Sequence, residues 1–132
     1  MKPLRQAVID IGSNTIRLVV YAGLPRSPMP IYNEKSRVAL GACLAGDGII
    51  DDATMKKALA ALARFETLAR SMKVDTLRVV ATAATREAKN GRALVEGAAA
   101  LGIRVDVLDG DTEATASGLG VLSDNPHANG YV

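Results

Sequence analysis

Aromatic side chains are nearly missing from this 132-residue chain: they make up 3% of it, with one Phe, three Tyr and no Trp. A core must therefore be assembled from Ala, Val, Leu and Ile, and base-stacking platforms for single-stranded nucleic acid are not expected. Cysteine is limited to Cys43, which excludes an intramolecular disulfide and suits a reducing cytoplasm. One Cys and one His (His127) are too few soft ligands for a zinc site. Long apolar runs are also lacking. Asp10, Asn14 and Arg17 interrupt the only N-terminal candidate, which excludes a signal-peptide core and a membrane span there. Finally, residues 105–132 have no Lys or Arg and five acids (−5), whereas residues 1–104 have all 16 Lys and Arg against nine acids (+7). A basic body can attract a polyanion, although solvated surface charge is the better account of most of these residues.

What remains is an ordinary globular composition, 48% hydrophobic and 23% charged, long enough for one core. Two Val- and Ile-rich runs, Ala7 to Ile11 and Ile16 to Ala22, read as strands around a Gly12-Ser13-Asn14 hairpin turn. Gly12 permits close backbone approach. The amides and side chains of Ser13 and Asn14 can form a small anion-binding concavity. Asp10 is placed to face a hydrated divalent cation, and Arg17 adds a positive fork. The plain alternative is a hairpin with an Asx-turn and no ligand.

A proline-dense turn is expected over Leu24 to Pro30, a third strand over Ile31 to Leu40, and a glycine-containing loop over Gly41 to Gly48. Asp51 or Asp52 should cap a helix over about 52–72, in which Met55, Leu59, Leu62, Phe65 or Glu66, Ala69 and Met72 recur at helical spacing. Leu77 to Ala81 reads as a buried strand, followed by a strand-to-helix turn and short helix over Thr82 to Ala88. A further helix should start at Asn90 or Gly91 and end at Gly102, with a strand over Arg104 to Leu108. Asp111 should cap a last helix with Glu113 in its first turn; residues 125–130 read as a linker and Tyr131-Val132 as the start of another strand. An opening meander followed by strand–helix–strand units implies an α/β layer on a mixed sheet. Three polar clusters then fall at strand ends, where ligands of such sheets sit: Asp10 to Asn14, Thr82 to Arg86, and Asp109 to Glu113.

Together these clusters resemble a known family. Asp10-Ile11-Gly12-Ser13-Asn14-Thr15-Ile16-Arg17-Leu18 is similar to the D-x-G-S-N-S/T-x-R-L opening of the exopolyphosphatase and guanosine pentaphosphate phosphatase family. The segment Ala81 to Asn90 is similar to its A-T-x-A-x-R-x-A-x-N segment, and Gly110-Asp111-Thr112-Glu113-Ala114 to its G-x-E-E-A segment. Thr112 and Thr115 depart from that pattern, and Val38 to Leu44 follows V-R-L-x-x-G-L only loosely. The resemblance implies the N-terminal half of an actin-like ATPase superfold of the ribonuclease H-like type. It also implies hydrolysis of terminal phosphate from inorganic polyphosphate, or of the 5′ phosphate of guanosine pentaphosphate, with magnesium.

On that resemblance, Glu113 matches the catalytic glutamate, Asn14 and Arg86 phosphate-contacting positions, and Asp10 the first acidic position of the phosphate-binding hairpin. With Ser13 and Arg17, these make up the candidate site. Residues 1–126 are then expected to be the N-terminal subdomain and residues 127–132 a linker with the start of a second. The family's second phosphate loop, D-x-G-G-G-S, is absent from the sequence, so the isolated chain is expected to be inactive. Expected partners are polyphosphate or guanosine pentaphosphate, with no membrane or specific nucleic acid, and a homodimer is open to the full-length protein. Taken without the resemblance, Glu113 could simply satisfy a helix dipole and Arg86 a surface ion pair. The rival classes are an ATPase or kinase of the same superfold, and a non-catalytic module that binds polyanions or dimerises.

Overall fold

The computed structural model describes residues 3–24 and 26–109. Glu113, the helix expected at Asp111, and the segment 125–132 lie outside the described residues.

The first two strands, β1 (Leu4–Ile11) and β2 (Thr15–Gly23), pair antiparallel with Ile11 opposite Ile16 and Asp10 opposite Arg17. Their alternation decides their facing. Ala7, Ile9, Ile11, Ile16, Leu18 and Val20 are buried on one face, and Asp10 and Arg17 are exposed on the other. The edge strand β3 (Met29–Arg37) pairs antiparallel with β2, with an irregularity at Val20/Tyr21. It differs from expectation at both ends. It begins inside the proline-rich stretch, because an edge strand tolerates Pro30 without losing an inner ladder bond. It stops at Arg37, short of Leu40. Leu40–Ala45 is a short helix, α1, where a loop was expected.

The reason for α1 is non-local. Ala39 adopts a left-handed conformation (φ 56°), which turns the chain back over the first hairpin. There the Val38 and Ala39 amides both donate to the Asn14 carbonyl at 2.9 Å, and the Gly41 amide donates to the Ser13 carbonyl at 2.8 Å.

Helix α2 (Asp52–Ser71) matches its sequence pattern. Asp51 Oδ1 accepts from the Thr54 amide at 2.7 Å, and Ala58, Ala61, Leu62, Phe65 and Ala69 are buried. Lys56, Lys57, Arg64 and Arg70 are exposed, as a solvated face requires. After it come β4 (Thr76–Ala81), α3 (Ala83–Glu87), α4 (Gly91–Ala100) and β5 (Val105–Val107). Helix α4 ends in a Schellman motif: Gly102 has φ 82°, its amide meets the Ala99 carbonyl, and the Ile103 amide meets that of Ala98, both at 2.9 Å.

The sheet order is β3-β2-β1-β4-β5, with β1, β4 and β5 mutually parallel. Helices α2 and α4 pack against each other, α2 lies against β1 and β2, and α4 touches β5. The core joins Ile9, Ile11 and Leu18 of the sheet to Leu62, Phe65, Leu94 and Ala98 of the helices. Among the described residues, no helix is long and apolar enough to cross a membrane.

Candidate phosphate site

Parallel alignment of β1, β4 and β5 brings their carboxyl ends to one edge of the sheet. The Gly12–Asn14 turn follows β1, the Thr82–Arg86 segment follows β4, and Leu108-Asp109 follows β5. Backbone bonds lace these ends together. The Ile11 carbonyl accepts from the Thr82 amide (3.2 Å) and the Thr82 hydroxyl (3.3 Å), and the Ala81 carbonyl accepts from the Leu108 amide at 2.9 Å.

In the turn, the Gly12 amide donates to the Thr15 carbonyl at 3.0 Å, and a Cβ at Gly12 would stand 3.2 Å from that oxygen. The carbonyls of Ser13 and Asn14 are taken up by the link into α1. Among the described residues, no acceptor meets the Ser13 or Asn14 amides. Both residues are exposed, so the turn presents donors outward and keeps its acceptors inward. That polarity suits an anion.

Arg86 stands across the same edge. Its Nη1 donates to the Leu108 carbonyl at 2.8 Å, and its Nη2 lies 3.9 Å from Glu87. Arg86 therefore fastens α3 to the end of β5 and is more than a surface ion-pair partner. Asp10 and Arg17 are cross-strand neighbours on the sheet face away from α2 and α4. The structure thus brings Asp10, Ser13, Asn14, Arg17 and Arg86 to one end of the sheet.

Two other groups of residues shape this edge. Lys35 and Arg37 lie opposite Arg17 and Thr15 and line a depression of about 440 Å³ with Asn14 and Thr15. Their alternation along β3 was the signal available, but it acquires meaning only through the register. Asn90 is legible in the sequence as part of a motif and as a helix start; here its side chain ties the loop before α2 to the start of α4.

A profile of the Ppx/GppA phosphatase family matches residues 19–132, a span that includes Arg86 and Glu113 and begins beyond the turn. The chain belongs to the Ppx/GppA phosphatase family. It is 32% identical over 116 residues to a guanosine-5′-triphosphate,3′-diphosphate pyrophosphatase of Pseudoalteromonas atlantica (strain T6c / ATCC BAA-1087), covering 87% of this chain and 23% of that protein. Among solved structures, the Aquifex aeolicus Ppx/GppA family member superposes with a TM-score of 0.84 at 26% identity, over 92% of this chain and 40% of that one. An exopolyphosphatase from Cytophaga hutchinsonii superposes with a TM-score of 0.78 at 31% identity, over 87% and 38%. The fold is accordingly the actin-like ATPase fold of Ppx/GppA proteins. The chain spans about a quarter of the length of the pyrophosphatase and about two fifths of these solved chains.

Proposed function

We propose that this chain supplies one wall of a phosphoanhydride hydrolase site that removes the terminal phosphate of inorganic polyphosphate. Guanosine pentaphosphate, attacked at its 5′ terminal phosphate, is the second reading, favoured by the name of the Pseudoalteromonas relative. What supports the reading is that the Ser13–Asn14 turn and the Arg86 segment follow the carboxyl ends of adjacent parallel strands β1 and β4 in a member of a phosphatase family.

In this reading the amides and side chains of Ser13 and Asn14 hold oxygens of the terminal phosphate. Arg17 and Arg86 offset its charge, most of all in the transition state. Glu113 orients a water and takes its proton. The water oxygen bonds to the terminal phosphorus, the bridging P–O bond breaks, and the electron pair stays on the shortened chain. The donor chemistry admits magnesium only sparsely. Asp10 offers a single exposed carboxylate, and among the described residues no group of three or more His, Cys, Asp or Glu could hold a metal. The Asp10 carboxylate is of the type that suits magnesium, which is often held by one or two carboxylates plus substrate phosphates. Magnesium would neutralise phosphate charge there, with Asp10 contacting it directly or through water.

The test uses a protein that joins this chain to the remainder its relatives carry. Glu113→Gln should lower phosphate release by about 10²–10⁴-fold and leave polyphosphate binding intact. Arg86→Ala should weaken both, with melting followed in parallel because Arg86 also holds the Leu108 carbonyl. The 132-residue chain alone is expected to fold and release little phosphate. Normal turnover in Glu113→Gln would remove Glu113 from the chemistry.

A further inference from the structure

The sheet face turned away from α2 and α4 is divided by charge. One cross-strand row reads Lys35, Arg17, Asp10, Val80 and Asp106 across β3, β2, β1, β4 and β5. Its β2–β3 side is cationic, and Arg37 extends that side toward the turn, opposite Thr15. Arg17, Lys35 and Arg37 are all exposed. Among the described residues, neither Lys35 nor Arg37 reaches an acid at ion-pair distance.

Directly opposed like charges weaken a sheet pair; Arg17 has Lys35 on one side and Asp10 on the other, so the acid balances one of the two cations in this row and leaves a net positive charge toward β3. Residues two apart on a strand are separated by about 6.5 Å. The cationic line from Lys35 to Arg37 is therefore longer than one phosphate group, and it leads directly to Asn14. Among the described residues the depression is walled by Asn14, Thr15, Lys35 and Arg37, and none of these is aromatic. These four side chains offer a base no ring to stack on.

We propose that Asn14, Thr15, Lys35 and Arg37 form a second phosphate-holding site, which takes the inner phosphates of a linear phosphoanhydride chain whose terminal phosphate sits in the Ser13–Asn14 turn. This rests on the phosphatase reading above. It extends that reading by assigning chain-length recognition to β3. Lys35 and Arg37 act as point and fork partners of inner phosphates; they touch neither the reacting phosphorus nor the water.

The experiment titrates the 132-residue chain with long-chain polyphosphate, inorganic phosphate and a single-stranded DNA oligonucleotide, across a salt series. Wild type, the double variant Lys35→Gln/Arg37→Gln, and Asn14→Ala are compared, with thermal melts of each. The double variant should lose about tenfold or more in long-chain affinity, and its salt slope should flatten by about 1–2, as expected for two lost cation–phosphate contacts. Its affinity for inorganic phosphate and its melting temperature should hold. Asn14→Ala should weaken both phosphate ligands.

Unchanged long-chain affinity in the double variant, with Asn14→Ala still weakened, would overturn the second site and leave the turn reading standing. Failure of the wild type to bind either phosphate ligand would overturn both. A lowered melting temperature with unchanged affinity would show that Lys35 and Arg37 serve the chain's own acidic residues, against the proposal. An equal loss of DNA affinity would overturn the assignment to phosphoanhydride chains.

Discussion

Asn90 pairs with the peptide groups of Ile50 through both ends of its side-chain amide. Its Oδ1 accepts from the Ile50 amide at 2.8 Å and its Nδ2 donates to the Ile50 carbonyl at 2.9 Å. The neighbouring Lys89 amide donates to the Gly48 carbonyl at 2.8 Å. Residues 40 positions apart are thereby joined as if by one rung of a sheet, with Asn90 standing in for backbone.

Asn90→Ala removes both bonds and strands two partly buried peptide groups. A loss of about 1–3 kcal/mol is expected, read by urea denaturation. Asn90→Asp keeps the acceptor but sets a carboxylate oxygen against the Ile50 carbonyl in place of the donor, so above the carboxylate pKa it should lose at least as much as Ala. Equal stability of all three proteins would show that water replaces the pair without cost.

Gly91 follows at the first turn of α4. A Cβ placed there would lie 1.9 Å from the Thr85 carbonyl oxygen, a backbone atom that cannot swing aside. Gly91→Ala should therefore destabilise by about 1–3 kcal/mol, despite the better helix propensity of Ala. A thermal melt at or above the wild-type midpoint would contradict this.

Lys73 ends α2 in a left-handed conformation (φ 56°) that closes a Schellman motif, with its amide on the Arg70 carbonyl at 2.9 Å. A side chain is strained there and glycine is not. Lys73→Gly should raise stability by about 0.5–1 kcal/mol after the extra freedom of the unfolded chain is counted. Lys73→Val should lower it. Paired denaturation curves decide the sign.

Asp51 caps α2, and the Thr54 backbone amide is the main cause holding its carboxyl below the ordinary value of 3.8, helped by the Thr54 side chain. A depressed folded-state pKa contributes stability that is fully present above the unfolded value and is lost as pH falls through the folded one. Stability should thus decline with acid from about pH 4 downward. Asp51→Asn keeps a capping oxygen that does not titrate, so its stability should decline less over the same range. Parallel acid titrations of the two proteins would show no difference if the cap contributed nothing.

Local pattern was enough for much of this protein. Val and Ile alternation over 7–11 and 16–20, the Asp51 cap with its apolar helical stripe, and Gly102 as a helix stop all act through neighbours in sequence, so their signals survive without a fold. The strand–helix–strand rhythm also implied a mixed sheet with polar clusters at strand ends. Tertiary structure decided the rest. Leu40–Ala45 becomes helical because Ser13 and Asn14 offer carbonyls to the segment leading into it, a partner no local window contains. Asn90 has meaning only once Ile50 is beside it. Lys35 and Arg37 lie beside Arg17 and Asn14 only in the observed β2–β3 register, since a one-residue slip would send both to the helix-covered face. Sequence pattern settles what each residue can do with its near neighbours; which distant groups it meets depends on register and chain crossing, and these exist only in the folded molecule.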